Sequence, residues 1–405
     1  MDIMKIGIIK ERIAPPDRRV VFTPEKLVLL TQKYPSISVK IEKSEVRFYL
    51  DHEYEQLGFE VTDDLTDCDI LFGVKEIPVE YLIPNKKYFF FSHTIKKQPH
   101  NQPLLQAVID KRIDLYDYET VTDAHGKRLI GFGRYAGLVG AYNAFRLFGL
   151  KYELFKLSKA ENMHDKDVMI QRLKSQFLPP IKIVVTGKGR VGSGVKELLK
   201  SVKIKEVSIP DFLTKKYDCP VFVQIESTDY FKRTDGSIAE KSDLYKNWNA
   251  YTSDFDKFSK VADILITGHF HPHDAPAILT REMLLDAKCS LKVVADISCD
   301  ADGSIACTLR PSTIAEPFYG YHPKENKEVE VFHPSSVGVM AVNNLPCEIS
   351  KDASEGFSDM LMEHVIPAFF NGDQDGVLER AQITKNGALM PRFKYLNDYV
   401  TAEGK

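Results

Sequence analysis

IKIVVTGKGRVGSGVKELLK, residues 181–200, decides the fold. It opens as an apolar strand, IKIVVT, closes as a helical stretch, GSGVKELLKSV, and joins the two through Gly187-Lys188-Gly189-Arg190-Val191-Gly192. GxGxxG in that strand–turn–helix setting is the dinucleotide-binding fingerprint. The first glycine permits the tight turn, the second lets backbone N–H groups approach a pyrophosphate, and the third lets helix and strand pack closely. A plain turn without a ligand would need fewer glycines. The segment therefore predicts a Rossmann half that binds NAD or NADP, with Gly187, Gly189, Arg190, Val191 and Gly192 against the phosphates. An acidic residue about 20 positions on would hold the adenosine ribose. Asp211 lies near that place, but it follows Pro210 and precedes Lys215-Lys216, so an exposed loop aspartate is an equal reading.

Outward from this segment the strand–helix alternation runs in both directions. On the N-terminal side the strand-like runs are KIGII (5–9), SVKI (38–41), DILFGV (69–74), KYFFF (87–91), IDLY (113–116) and LIGF (129–132). Helical stretches at 24–34 and 102–112 lie between them, the first with Thr23 as N-cap and Pro24 at its first position. A small-residue-rich helix from Tyr135 to about Leu157 connects to the fingerprint. Beyond the fingerprint come EVSI (206–209), VFVQI (221–225), DILITG (263–268) and LKVVADI (291–297). The pattern predicts an α/β protein: two Rossmann-like domains with mostly parallel sheets and a cleft between them. Residues 1–134, completed by 347–405, form the expected substrate (catalytic) domain. Residues 135–346 form the dinucleotide-binding domain with its connecting helix.

At 405 residues, two domains is the natural division. With 43% apolar and 27% charged residues and a net charge of −3, the chain has no concentrated basic face. Nucleic acid and membrane surfaces are therefore not expected partners; a small-molecule substrate is. No apolar stretch approaches the ~20 residues of a bilayer-spanning helix. The opening MDIMKIGIIKER lacks a signal-peptide core, and the six cysteines are scattered without CxxC pairs. A cytoplasmic protein with reduced thiols and no metal is the expectation.

In open parallel sheets, ligands bind beyond the carboxyl ends of the strands. Three successive runs of the first domain end in Lys75-Glu76, in His93 and in Glu119. Together these supply what carbonyl and imine chemistry requires: a cation to polarise oxygen, a group titrating near neutrality, and a charge to tune both. In the second domain the corresponding ends give His269 and Asp296. His269-Phe270-His271-Pro272-His273-Asp274 has the alternation of a metal cluster, but it leaves a Rossmann strand where the nicotinamide ribose lies. A polar loop beside the cofactor is the better reading. Arg18 and Arg19 could clamp a carboxylate bidentately, but taken alone a solvated pair at a loop is the favoured reading.

With these residues in place, the chain resembles the alanine dehydrogenase and saccharopine dehydrogenase superfamily, and within it the lysine-forming saccharopine dehydrogenases and lysine–ketoglutarate reductases. The carrying segments are KIGIIKERIAPPDRRVVFTPE, GVKEIP, FFFSHTIKKQ, IDLYDYETVTDAHGKRLIGFGRYAGLVGA, VVADISCDADGSI, NNLPCEISKDASEGFSDML and ITKNGAL, in order along nearly the whole chain. The resemblance implies acid–base work by Lys75 and His93, tuning by Glu76 and Glu119, substrate-carboxylate contacts by Arg19 and Arg128, and Asp296 near the nicotinamide. Ile95, where fungal relatives carry an aromatic, and the HFHPHD loop depart from the pattern. The implied reaction converts saccharopine, NAD(P)+ and water to lysine, 2-oxoglutarate and NAD(P)H. An alanine dehydrogenase and a non-catalytic NAD(P)-binding sensor are the alternatives.

Overall fold

The structure, a computed structural model, describes residues 3–272, 274–301 and 303–401. The chain divides into two compact units: residues 1–132 with 350–405, and residues 133–349.

The first unit holds a six-stranded sheet of β1 (Met4–Ile8), β2 (Ile37–Glu42), β3 (Glu60–Thr62), β4 (Ile70–Phe72), β5 (Lys87–Phe90) and β6 (Asp114–Asp117). Its order is β3-β2-β1-β4-β5-β6, and every pairing is parallel. Both faces are covered, so the strands read as continuous apolar runs whose side chains alternate between two cores. In β4, Ile70 and Phe72 face one core and Leu71 the other. In β5, Phe89 faces the first while Tyr88 and Phe90 face the second. Helix α1 (Pro24–Lys33) begins at Thr23, whose side chain accepts from the Lys26 N–H as the sequence predicts. Helices α2 (Asp51–Gln56) and α3 (Gln102–Asp110) follow. The helix Ser350–His364 adds Phe357 and Leu361 to the first core, and Phe393, Leu396 and Tyr399 join the second.

The second unit opens with α4 (Gly133–Lys151), which is buried on nearly every side, and α5 (Lys166–Lys174). The fingerprint segment then forms β7 (Lys182–Thr186) and α6 (Arg190–Ser201). After β8 (Lys205–Glu206), α7 (Ile209–Thr214) and β9 (Val221–Ile225), a separate ribbon pairs β10 (Phe231–Arg233) with β11 (Tyr251–Ser253). The sheet resumes with β12 (Ile264–Thr267), β13 (Val293–Ala295), β14 (Phe318–His322), β15 (Lys327–Val329) and β16 (Val337–Met340). Its order is β15-β14-β16-β13-β12-β7-β9-β8, parallel except at β14 and β15.

Two strand expectations fail. LIGF (129–132) is not a strand: with the sheet closed at β6, Leu129, Ile130 and Phe132 pack into the first core as irregular chain. EVSI (206–209) is strand only at its start, because the Ser208 side chain caps α7 and turns the chain into helix. Short β3, the β10–β11 ribbon, β16 and the antiparallel β14 and β15 are additions to the expected set.

Candidate functional site

In the first unit, the strand ends of β4, β5 and β6 carry the polar residues. Two residues past β4, the Val74 and Lys75 N–H groups both donate to the Glu11 carboxylate, at 2.7 and 2.9 Å. Glu11 lies just beyond β1, so one side chain ties two strand ends and fixes the backbone that carries Lys75 and Glu76. Burial, and then the charge of Asp17, push its carboxyl up to about 8.

Beyond β5, His93 Nδ1 is hydrogen-bonded to Glu76 Oε1. A carboxylate only accepts, which puts the proton on Nδ1 and leaves Nε2 as the ring atom to exchange a proton with substrate. Burial pulls the Glu76 carboxyl up, but the hydrogen bond and charge of His93, with Lys75 beyond, outweigh it and hold the carboxyl below its ordinary value. His93 itself has φ of 53° and ψ of 9°, left-handed backbone that costs a non-glycine residue about 1–2 kcal/mol. A titrating side chain held in a strained turn at a strand end is a mark of a functional position.

Beyond β6, Glu119 completes the group. Its Oε1 accepts from Arg128 Nη2 at 2.7 Å and lies 3.3 Å from Lys96 Nζ. Burial raises the carboxyl, but the charges of Lys96 and Arg128 prevail and lower it. The side chain is 7% exposed, and Oε2 is buried without a hydrogen-bond partner. A buried carboxylate oxygen without a partner has capacity for one more donor, from water or from a ligand. Arg19 is placed differently. It is buried, forks onto Asp17 through Nε and Nη2, and stacks on Phe132 at 4.1 Å. Its guanidinium therefore braces the loop after β1, whereas Arg128 is 42% exposed and pairs with Glu119.

In the second unit, Gly187 has φ of 84°, and a Cβ there would sit 2.5 Å from the Gly268 carbonyl oxygen. A Cβ on Gly192 would sit 2.1 Å from the Gly187 carbonyl oxygen. The fold itself requires these two glycines. Gly189 differs: a Cβ there meets nothing within 4 Å, and its backbone is ordinary. Nothing in the fold requires glycine at that position, and the space beside it is open at the N-terminus of a twelve-residue helix beginning at Arg190 and Val191. These residues fit a dinucleotide pyrophosphate.

Asp211 lies in α7, beyond the edge strand β8, and is paired with Lys215 at 3.0 Å. The strand directly beside β7 is β9, and its end carries Glu226, which reaches Lys188 of the glycine loop at 2.8 Å and Lys241 at 3.0 Å. Asp296 is buried, and its oxygens accept from Thr267, Ser298 and Thr308 hydroxyls at 2.8, 2.7 and 2.7 Å. It fixes the ends of β12 and β13, so any influence on a ligand passes through those hydroxyls. His269 bridges Thr186 at 2.6 Å and Ser304 at 2.9 Å, and burial, with His271 adding, holds its pKa down to about 3. His273 lies outside the described residues; among those described, no three His, Cys, Asp or Glu side chains form a metal set.

Comparison with known proteins agrees with this architecture. The family model described as alanine dehydrogenase/PNT, N-terminal domain, matches residues 7–139, and the C-terminal domain model matches residues 174–394. The chain belongs to the alanine dehydrogenase/PNT family. It is 31% identical to an alpha-aminoadipic semialdehyde synthase of Arabidopsis thaliana, over 96% of this chain and 41% of that protein. It is 24% identical to a saccharopine dehydrogenase (NAD(+), L-lysine-forming) of Yarrowia lipolytica, over 87% of this chain and 89% of that one. A solved L-alanine dehydrogenase shares the fold, with a TM-score of 0.66 at 16% identity, covering 98% of this chain and all of the other. The chain spans less than half the length of the semialdehyde synthases it matches. Among the described residues no helix is long and apolar enough to cross a membrane.

Within this family member, the structure brings Glu76 and His93 into contact and joins Glu119 to Arg128. Four residues escaped the sequence reading: Glu11, Lys96, Asp117 and Glu226. Asp117 and Glu226 stand at strand ends and were accessible to the rule that found Glu119. Glu11 acts through backbone contacts 63 and 64 residues away, which no local pattern shows.

Proposed function

We propose that the chain is an NAD(P)-dependent dehydrogenase of the saccharopine dehydrogenase type, interconverting saccharopine and water with lysine and 2-oxoglutarate. The observation that carries this reading is the strand-end group of the first unit: a Glu76–His93 pair beside Glu119, whose second oxygen is buried and unpartnered. A substrate built from lysine and 2-oxoglutarate carries three carboxylates and a distal ammonium, and this group offers both signs of charge. Arg128 and Lys96 suit a carboxylate, and Glu119 Oε2 suits an ammonium. A cleft lined this way is a costly means of holding the methyl group of alanine.

When bound, the nicotinamide accepts or returns a hydride at the substrate carbon. Lys75 and His93 manage the protons. One takes the proton that leaves the secondary amine as its carbon is oxidised. The pair then helps water add to the resulting imine and returns a proton to the departing amine nitrogen. Glu76 keeps the His93 ring oriented for this exchange. In the second unit, Gly187, Gly189 and Gly192 hold the pyrophosphate at the start of α6. Glu226, through its strand beside β7 and its contact with Lys188, is better supported than Asp211 as the ribose carboxylate. All six cysteines are free thiols, which suits a reducing compartment such as the cytoplasm.

Following NADH and NADPH absorbance with lysine plus 2-oxoglutarate, and separately with ammonia plus pyruvate, tests the reading. Faster oxidation with lysine and 2-oxoglutarate is expected. Turnover with ammonia and pyruvate alone would make the chain an alanine dehydrogenase, and dinucleotide binding without turnover would make it a sensor.

A further inference from the structure

We propose that Asp117 is the positioning residue of the acid–base group, a single buried carboxylate that sets both the His93 turn and the Glu119 backbone. It is the last residue of β6 and is fully buried. One oxygen, Oδ2, accepts from the Ser92 N–H at 3.0 Å and from the Ser92 hydroxyl. The other, Oδ1, accepts from the Glu119 N–H at 2.7 Å. The Ser92 hydroxyl oxygen lies 2.8 Å from Thr94 Oγ1 and accepts from the Thr94 N–H at 3.3 Å. The residues on both sides of His93 are thus anchored to one carboxylate, and the same carboxylate fixes Glu119.

Two features make this more than ordinary packing. His93 holds a left-handed backbone that costs a non-glycine residue about 1–2 kcal/mol, and the anchored residues on either side help to hold it. Asp117 is also a costly choice at its position. Among the described residues no lysine or arginine pairs with it, and burial pushes its carboxyl up to about 6. An asparagine would be cheaper to bury, but it offers one accepting oxygen where three donors converge. The amide could serve the Glu119 N–H or the Ser92 N–H, not both. Only a carboxylate holds the two strand ends together. Asp117 makes no hydrogen bond to the His93 ring, so it acts through the backbone rather than on the substrate.

The inference rests on the proposed acid–base role of His93 and Glu119, and the test separates the two. Asp117→Asn and Ser92→Ala are made in the full chain. The first readout is steady-state kinetics with lysine, 2-oxoglutarate and reduced dinucleotide. The second is the downfield proton resonance of the imidazole Nδ1–H held by Glu76, assigned by its loss in Glu76→Gln. Misplacement of a reacting group by about 1 Å costs roughly 10²-fold in rate. Asp117→Asn should therefore lower kcat by about 10²-fold and Ser92→Ala by about tenfold, with dinucleotide KM unchanged. Both should weaken or abolish the resonance. Folded variants with wild-type kcat and an intact resonance would overturn the positioning role, whatever their thermal stability. Should Asp117→Asn not fold, Ser92→Ala, which leaves the carboxylate in place, decides by the same readouts. If no amine and oxoacid pair turns over, the functional reading falls, and the resonance alone decides the positioning.

Discussion

At the end of β7 the chain turns through Gly187 at a φ of 84°, and at the end of β5 it turns through His93 at 53°. Both sit beyond the carboxyl end of a parallel strand with sheet neighbours on either side. Glycine makes the first turn without strain, and the loop it opens has nothing but backbone and empty space at Gly189. Histidine makes the second turn against its preference, and a buried carboxylate behind it supplies the restraint. Under the proposed function, the same architectural position is used in two ways. Where the ligand is a phosphate, bare backbone N–H groups suffice and side chains obstruct. Where a proton must move, a side chain has to be there, and the backbone bears the strain.

The contrast is broken most severely at the histidine. His93→Gln keeps the strained turn and removes the titrating ring, so kcat should fall by about 10²–10⁴. His93→Gly should lose as much activity yet be more stable than His93→Gln by about 1 kcal/mol, because glycine accepts the left-handed turn freely. Calorimetric dinucleotide affinity should stay near wild type in both; a collapse there would mean that His93 serves the cofactor instead. Lys75→Met should fall in the same range of kcat.

The complementary change is Gly189→Val. Nothing in the protein opposes the added side chain, so the fold should survive with an unchanged melting temperature. Loss of one or two charge-assisted hydrogen bonds to phosphate should weaken dinucleotide binding by about 3 kcal/mol, roughly a hundredfold. Wild-type affinity in this variant would remove the phosphate from the loop.

The smallest effect concerns the restraint on Lys75. With its carboxyl at about 8 in the folded chain against an ordinary 4.5, Glu11 keeps a proton that the unfolded chain releases. Its stabilising contribution is complete below about pH 4.5 and disappears as the pH rises to about 8. Glu11→Gln carries no such dependence. The melting temperature of the variant relative to wild type should therefore climb from pH 5 to pH 8, as the wild type loses that contribution. A pH-independent difference would mean that Glu11 is ionised throughout.

Legibility in the sequence followed the range of the interaction. β7, the glycine loop and α6 are adjacent along the chain, and each is declared by local pattern. Lys75, His93 and Glu119 are readable as candidates because strand ends of a parallel sheet gather ligand contacts, a rule that needs only the strands. Asp211 stays open as a ribose ligand on that rule, since Ser208 starts a helix where EVSI reads as strand, and Glu226 becomes a candidate only once β9 is seen beside β7. Arg19 was legible as a carboxylate partner, but the carboxylate is the chain's own Asp17. LIGF has the composition of a strand and lacks only a partner, which composition does not reveal. Asp117 and Glu11 act through hydrogen bonds to distant backbone, and such contacts leave no mark on spacing or periodicity.

The chain leaves the first unit after Phe132 and returns to it at Ser350, and residues 350–401 then contribute Phe357, Leu361, Phe393 and Leu396 to its cores. On the ribosome this orders events. The 217 residues from Gly133 to Ile349 are contiguous and have their own core, so they emerge as a unit able to fold while synthesis continues. The six-stranded sheet, made before that unit, must wait, with part of its apolar surface uncovered, until residues 350–401 have emerged. Of the two units, the one whose synthesis begins first thus matures second, and during that interval it is the more exposed to aggregation.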